Sequence, residues 1–174
     1  LIQSIPIYGV IGDQQSAAIG QKAYNFGDIK STYGTGCFVL MNTGKNFVLS
    51  KNNLLSTIAY KIGGKTHYAL EGSIFMAGAI IDWLKNSLQL IDNYKELENI
   101  LNNTNNNPGI VLVPAFTGLG APHWSPNARA SISGLTRDSN RHEIILSSIQ
   151  SISLQSLDLI SALENDTSHL FNSS

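Results

Sequence analysis

Cysteine is almost absent from this sequence, which limits the chemistry that the chain can support. Cys37 is the single cysteine among 174 residues, so neither an internal disulfide nor a cysteine-based metal site can form. The four histidines, His67, His123, His142 and His169, show no spacing typical of metal ligands. We therefore predict no metal-ligating residues in this chain.

The sequence also lacks an excess of charge of one sign and lacks long apolar runs. Its formal net charge is -1 and its pI is about 6.5, so we expect neither nucleic acid nor an anionic membrane as a partner. Apolar runs such as 110–116 are far too short to span a bilayer. The first residues have neither the charged nor the apolar region of a signal peptide. We expect a cytoplasmic protein that binds small molecules or another protein.

What the sequence does contain is enough apolar residues for one folded domain. Hydrophobic residues make up 43% of the 174 positions, which is sufficient for a core. The first residue is Leu1 instead of methionine, so we expect the chain to be a piece of a longer protein. We assign residues 1–164 to the domain and the polar residues 165–174 to a frayed tail.

The spacing of apolar residues predicts an α/β domain with a mixed sheet and flanking helices. Predicted strands cover 5–11, 32–41, 54–62, 66–70, 110–113 and 130–135. Predicted helices cover 14–21, 75–91 and 94–101, and a long helix carries the apolar stripe Ile145, Ile149, Ile152, Leu159 and Leu163. We expect strand 5–11 to be buried on both faces and the next strands to form an antiparallel meander that turns at Gly63-Gly64.

Asp13 is the first candidate for chemistry, because it follows an apolar strand and precedes a predicted helix. A carboxylate at the mouth of a strand can accept the proton of an attacking hydroxyl, as in phosphoryl-transfer enzymes. The alternative is that Asp13 merely caps the helix, since aspartate is a favoured N-cap residue. The local sequence alone favours this structural interpretation.

Glycines provide the second candidate feature. The turn Gly34-Thr35-Gly36 can present backbone N–H groups and one hydroxyl to a phosphate, although a bulge in an ordinary strand would look the same. Gly78 could likewise bring backbone close to a nucleotide, or it could serve close helix packing. Gly64-Lys65-Thr66 resembles the end of a P-loop, but the position five before Gly64 is Ala59 and the segment lies in a predicted hairpin.

Taken together, these segments resemble the second domain of glycerol kinases, within the larger family of sugar and polyol kinases. The matching segments follow the order of the family over nearly the whole chain. They are Gly12-Asp13-Gln14-Gln15, Ser31-Thr32-Tyr33-Gly34-Thr35-Gly36-Cys37-Phe38, Leu40-Met41-Asn42-Thr43-Gly44, Leu70-Glu71-Gly72-Ser73, Phe75-Met76-Ala77-Gly78-Ala79, residues 114–122 and Gly134-Leu135-Thr136-Arg137.

The resemblance implies an actin-like, ribonuclease-H-like domain and the ATP-dependent phosphorylation of glycerol with Mg2+. Asp13 matches the catalytic base and a glycerol ligand of the family. Gln14 matches the family residue that neighbours this base in the substrate site, and Phe38 matches the aromatic wall behind glycerol. The nucleotide-binding positions of the family fall on Gly34, Thr35 and Gly78, with Asp82 four residues further on.

The sequence departs from the family in two respects. Asp82 stands where a glutamine is usual, so the amide donors are lost and a repulsive charge is added beside the nucleotide. The first domain, which in the family supplies further glycerol ligands, the magnesium-binding aspartate and half of the phosphate clamp, lies outside this sequence. The glycine-rich segment that holds adenosine in the family is also outside it.

Three hypotheses follow. The first is a fragment of a glycerol kinase that carries the catalytic base and part of the ATP site and is inactive without its N-terminal domain. The second is a non-catalytic remnant or assembly domain, which Asp82 favours slightly. The third is a kinase of another polyol or a sugar, although Phe38 and Gln14 favour glycerol. The face that should meet the missing domain would be exposed, and we therefore expect oligomers.

Overall fold

The computed structural model describes residues 4–103 and 109–171. Its strands are β1 (Ile29–Tyr33), β2 (Cys37–Gly44), β3 (Leu55–Ile62), β4 (Lys65–Ile74), β5 (Val111–Val113) and β6 (Ser131–Ser133). Its helices are α1 (Asp13–Gly20), α2 (Gly78–Asp82), α3 (Tyr94–Asn103) and α4 (Arg141–Thr167), and a π-helical turn (Trp83–Ser87) continues α2. The α/β class predicted from the sequence is confirmed, but the sheet is not the mixed one expected, because every pair of named strands in the described residues is antiparallel.

The sheet that carries the candidate site has the order β1-β2-β4-β3, and every neighbouring pair in it is antiparallel. The simple meander was therefore the wrong prediction, because β4 and not β3 lies beside β2. The hairpin at Gly63-Gly64 is present as expected. β4 is the more buried of the two strands in its position beside β2: Ala69, Leu70, Gly72 and Ile74 of β4 are buried, whereas most residues of β3 are exposed or half-buried.

The segment 5–11 is not the buried strand that its composition predicted. It has no regular structure, and Ile5 and Val10 are 85% and 92% exposed. An extended segment becomes a strand only beside a neighbour that accepts and donates its backbone hydrogen bonds. Within the described residues no strand pairs with this segment, so its β-branched side chains remain exposed.

The sheet separates two packing layers. Cys37, Val39 and Met41 of β2 point to one face, where they pack against Leu159 and Leu163 of α4. Residues on the opposite face of the sheet include Leu40 and Ala69, which form a smaller cluster with Ala18 of α1. The candidate residues at the start of α1 therefore lie over this second face.

Helix α4 is the main support of the domain. Asn140 begins it with a capping box, in which Asn140 accepts from the backbone of Glu143 and the Glu143 carboxylate accepts from Asn140 N–H at 2.9 Å. By length and mean hydropathy, 1.2, α4 could cross a membrane, but a core helix passes the same test. Ile145 and Leu159 of α4 are fully buried. The helix continues to Thr167, within the segment expected to be a frayed tail.

Two other elements differ from expectation. The helix predicted over 75–91 begins only at Gly78 and widens into the π-helical turn, in which Leu88 N–H donates to Trp83 O at 3.0 Å. The residues before Gly78 are needed to connect the end of β4 to the helix. The strand predicted to be buried at 110–113 is β5, which is half-buried because Leu112 faces the core and its two neighbours are exposed.

Candidate functional site

Asp13 is the first residue of α1 and lies on the surface. The N-cap residue is Gly12, and no side-chain hydrogen bond caps this helix. One carboxylate oxygen of Asp13, Oδ1, accepts from Gln14 N–H at 2.8 Å, whereas Oδ2 accepts from no donor in the described part of the chain. Asp13 is therefore not the N-cap that the structural interpretation required, and one of its oxygens is available to a ligand.

Gln14 lies beside a lysine that no sequence motif identifies. The Nζ of Lys30 donates to Oε1 of Gln14 at 2.5 Å, and Lys30 itself is only 5% exposed. In the register of the sheet, Lys30 pairs with Leu40, which pairs in turn with Glu71. Directly paired residues share a face of the sheet, so Lys30 and Glu71 both point towards α1.

Phe38 lies two residues before Leu40 on β2 and therefore occupies the same face. It is 41% exposed, and such an exposed aromatic ring can contact a ligand. Burial raises the pKa of Glu71; nearby Lys30 lowers it in part, and the Asp13 carboxylate raises it further. The structure thus brings Asp13, Gln14 and Phe38 to one region of the sheet, above Lys30 and Glu71.

The second group of candidate residues contributes backbone N–H and C=O groups instead of charged side chains. Residues 34–36 form the turn between β1 and β2, and the start of α2 is attached to this turn by three hydrogen bonds. Gly78 N–H donates to Gly34 O at 2.8 Å, and the N–H groups of Ala77 and Ala79 donate to Thr35 O at 2.8 and 3.2 Å. The turn and Gly78, which the sequence placed on separate elements, are in direct contact.

This contact requires glycine at two positions. A Cβ on Gly78 would lie 2.6 Å from Gly34 O, and a Cβ on Gly36 would collide with Ile74 O. The N–H groups of Thr35 and Gly36 have no acceptor within the described residues, and Thr35 is exposed. Two adjacent backbone donors and one hydroxyl can hold an anion such as a phosphate oxygen.

Asp82 is the last residue of α2 and is exposed. It lies on the same short helix as Gly78, so the structure keeps the carboxylate near the turn of residues 34–36. A carboxylate accepts hydrogen bonds but cannot donate them, and it repels phosphate. An anion held at the turn of residues 34–36 would therefore have one unfavourable residue nearby.

The residues do not form a metal site of their own. No group of three His, Cys, Asp or Glu residues that could hold an ion occurs in the described ranges. Mg2+ prefers several oxygen ligands and commonly takes some of them from phosphates and water. Asp13 alone does not fit a resident Mg2+ site, so a magnesium ion would need ligands from a nucleotide or from other protein segments.

Comparison with known proteins identifies related sequences over almost the whole chain. Residues 29–173 match the family described as the FGGY family of carbohydrate kinases, C-terminal domain. A glycerol kinase from Alteromonas mediterranea is 53% identical over 94% of this chain, and one from Clostridium perfringens is 50% identical over 97% of it. These alignments cover 33% and 34% of the two relatives, so the chain spans about a third of their length.

Solved structures give the same assignment of fold. The crystal structure of Plasmodium falciparum glycerol kinase with ADP superposes with a TM-score of 0.87 at 44% identity, over 96% of this chain and 33% of that one. A ligand-bound xylulose kinase from Lactobacillus acidophilus gives a TM-score of 0.70 at 22% identity, over 86% of this chain and 29% of that one, which supports the fold alone. The fold is therefore the actin-like fold of these sugar kinases.

Proposed function

The chain belongs to the FGGY family of carbohydrate kinases, and we propose that it forms about a third of an enzyme that phosphorylates glycerol to glycerol 3-phosphate with ATP. The observation that carries this proposal is that Asp13, Gln14 and Phe38 lie over one face of the hairpin whose connecting turn is Gly34-Thr35-Gly36. The identity of about half with several glycerol kinases supports glycerol over other polyols.

In this proposal Asp13 is the catalytic base and a ligand of the acceptor hydroxyl. Its Oδ1 is held by Gln14 N–H, so Oδ2 is the oxygen that accepts the hydroxyl proton. A strong base is unnecessary in phosphoryl transfer, because catalysis depends mainly on positioning and on stabilising charge on the phosphoryl oxygens. Phe38 shields one side of a small polyol and contacts its carbon atoms.

Thr35 and Gly36 provide the phosphate contacts. Their N–H groups, together with the Thr35 hydroxyl, donate to phosphate oxygens of the nucleotide. The three bonds to the start of α2 fix the turn before a ligand arrives. Lys30 lies on β1 before the turn, and Phe38 lies two residues after it on β2, so the proposed acceptor residues and the proposed phosphate turn belong to one hairpin.

Bound ATP would supply the phosphoryl group, and Mg2+ would neutralise charge on its phosphates. The metal would be held by the nucleotide and by ligands outside this chain. We further propose that an N-terminal kinase domain completes the site, that the enzyme is cytoplasmic and that it forms oligomers. The length of the relatives, about three times that of this chain, supports a missing domain.

A chimera tests the proposal. Residues 1–174 would replace the matching third of the Alteromonas mediterranea glycerol kinase, and ADP release would be measured with glycerol and with xylulose. We expect turnover with glycerol, and we expect Asp13→Asn to reduce kcat by about 10²- to 10⁴-fold, since a positioned base contributes that much.

Asp138→Asn is the matched control, because Asp138 is an exposed aspartate whose recorded ion pair is with the neighbouring Arg137. It should leave kcat unchanged. A folded chimera that does not use glycerol would refute the proposed substrate. An Asp13→Asn chimera with the parental rate would refute the role of Asp13.

A further inference from the structure

Lys30 is an unusual residue for its position. It is 5% exposed on β1, although an ammonium group is rarely buried without a compensating partner. The ion pairs within 4.0 Å in the described part of the chain do not include it. Within the described residues, Nζ of Lys30 forms one hydrogen bond, to Gln14 Oε1. The burial of this charge therefore needs an explanation beyond a salt bridge.

The bond to Lys30 determines how Gln14 presents its amide. Lysine can only donate, so the atom of Gln14 that faces Nζ must be the carbonyl oxygen. The amide NH2 of Gln14 is then turned away from Lys30. Within the described residues no acceptor takes a hydrogen bond from this NH2, and Gln14 is half-buried at the start of α1 directly after Asp13, so the NH2 is available as a donor to a ligand.

The charge of Lys30 also acts on the carboxyl groups around it. Its proximity lowers the pKa of Glu71 against the opposing effect of burial. Asp13 acts on the same Glu71, which shows that the two acidic groups and the lysine share one electrostatic environment. A buried positive charge below Asp13 offsets the repulsion between these carboxylates and favours an anion above them.

We propose that Lys30 is a positioning residue of the acceptor site, which fixes the Gln14 carbonyl so that the Gln14 NH2 donates a hydrogen bond to an oxygen of the acceptor alcohol. Lys30 does not touch the reacting atoms and acts through Gln14. The role as an acceptor-site residue rests on the proposed function, whereas the fixed orientation of Gln14 does not.

The orientation of Gln14 can be measured directly in the 18.8 kDa chain by NMR of the side-chain amides. We expect the Gln14 NH2 group to be rigid in the parent chain, with a high heteronuclear NOE, and in Lys30→Met to become as mobile as the exposed Gln21. Lys30→Arg, which keeps a cationic donor, should retain most of the rigidity. Lys65→Met is the matched control, because Lys65 is an exposed lysine at the start of β4.

Kinetics of the chimera described above test the effect on the acceptor. Lys30→Met should raise KM for glycerol about tenfold and change kcat less than about threefold, because a ground-state contact is lost, and KM for ATP should not change. Gln14→Glu gives a second test in case Lys30→Met does not fold. It keeps an acceptor for Lys30 and removes both amide donors, so KM for glycerol should rise at least as much.

Each result bears on one claim. A mobile Gln14 amide in the parent chain, or an unchanged amide in Lys30→Met, would overturn the inference. Equal increases in KM for glycerol and ATP would also overturn it, because a general structural defect would have that effect. If the unsubstituted chimera is folded but does not phosphorylate glycerol, the proposed function fails, and the NMR result alone then decides whether Lys30 orients Gln14.

Discussion

At the scale of residues, the polar groups on the proposed acceptor side of the site fix one another. Lys30 holds Gln14 through the side chain, and the backbone of Gln14 holds Asp13. Within the described residues, the amide nitrogen of Gln14 and Oδ2 of Asp13 have no hydrogen-bond partner, so each can meet a ligand. A site with this arrangement loses little entropy on binding, because its donors and acceptors are already placed.

Asp82 leads to a prediction on the nucleotide side. Replacing this exposed carboxylate by glutamine in the chimera should tighten ATP binding about three- to tenfold, because it removes repulsion and restores two donors. Isothermal titration with ATP would measure the change. Asp92→Gln, at an exposed aspartate before α3, is the control. Equal affinities of the Asp82→Gln and parent chimeras would show that Asp82 does not face the nucleotide.

The sequence identified Asp13, Gln14, Phe38 and the glycine turn because they belong to a motif with a characteristic order. It did not identify Lys30, since a single lysine in a strand usually points to solvent. Its burial depends on the pairing with Leu40 and on the position of α1 above it. Such a role arises from the register between strands, which the local sequence does not determine.

At the scale of elements, the end of α4 is connected to the loop before β3. Asp166 accepts from Ser50 Oγ, from Lys51 N–H at 2.7 Å, and from the backbone and side-chain nitrogens of Asn52 at 3.2 and 2.8 Å. One carboxylate thus satisfies several donors of a loop that has no regular structure. These charge-assisted bonds join the last turn of α4 to the chain leading into β3.

Loss of this carboxylate should weaken the domain. We expect Asp166→Ala to lower Tm by about 3–8 °C, which corresponds to about 1–2 kcal/mol for a domain of this size, because several loop donors would lose their acceptor. Circular dichroism on heating would measure the shift. Asn165→Ala, at the exposed neighbour, should change Tm by less than about 1 °C. Equal Tm values for both variants would exclude a stabilising role for Asp166.

Elements with strong local signals were predicted more accurately than their arrangement. The long helix α4 and the hairpin at Gly63-Gly64 depend on local patterns, and both occur. Segment 5–11 and the position of β3 depend on which strands lie alongside. Segment 5–11 has no pairing strand within the described residues, and β4 takes the place beside β2 that the meander gave to β3.

At the scale of the whole molecule, the proposed site would be one side of a two-sided site. The proposed acceptor residues and phosphate turn lie on a surface, where water competes for polar contacts. Phosphoryl transfer needs charge stabilisation from several directions. The relatives are about three times as long as the chain, and the remaining groups would come from that additional length.

We therefore expect the isolated chain to show no glycerol kinase activity. A coupled assay of ADP release with Mg2+, ATP and glycerol should give the same rate with and without the chain, and the chimera serves as the positive control. Glycerol-dependent ADP release by the isolated chain that disappears in Asp13→Asn would contradict this expectation.

The packing of Gly36 and Gly78 has a consequence for how this chain would change under mutation. Both positions are fixed by contacts with backbone atoms, so a library of variants selected only for folding would recover glycine there. Asp13 has no comparable constraint, because it is exposed and, among the described residues, its side chain bonds only to the next backbone N–H. Selection for folding would thus preserve the glycine turn and release Asp13. Whether Asp13 is kept or replaced among variants therefore indicates whether catalysis has been under selection. Retention of the glycines does not indicate this, because folding alone requires them.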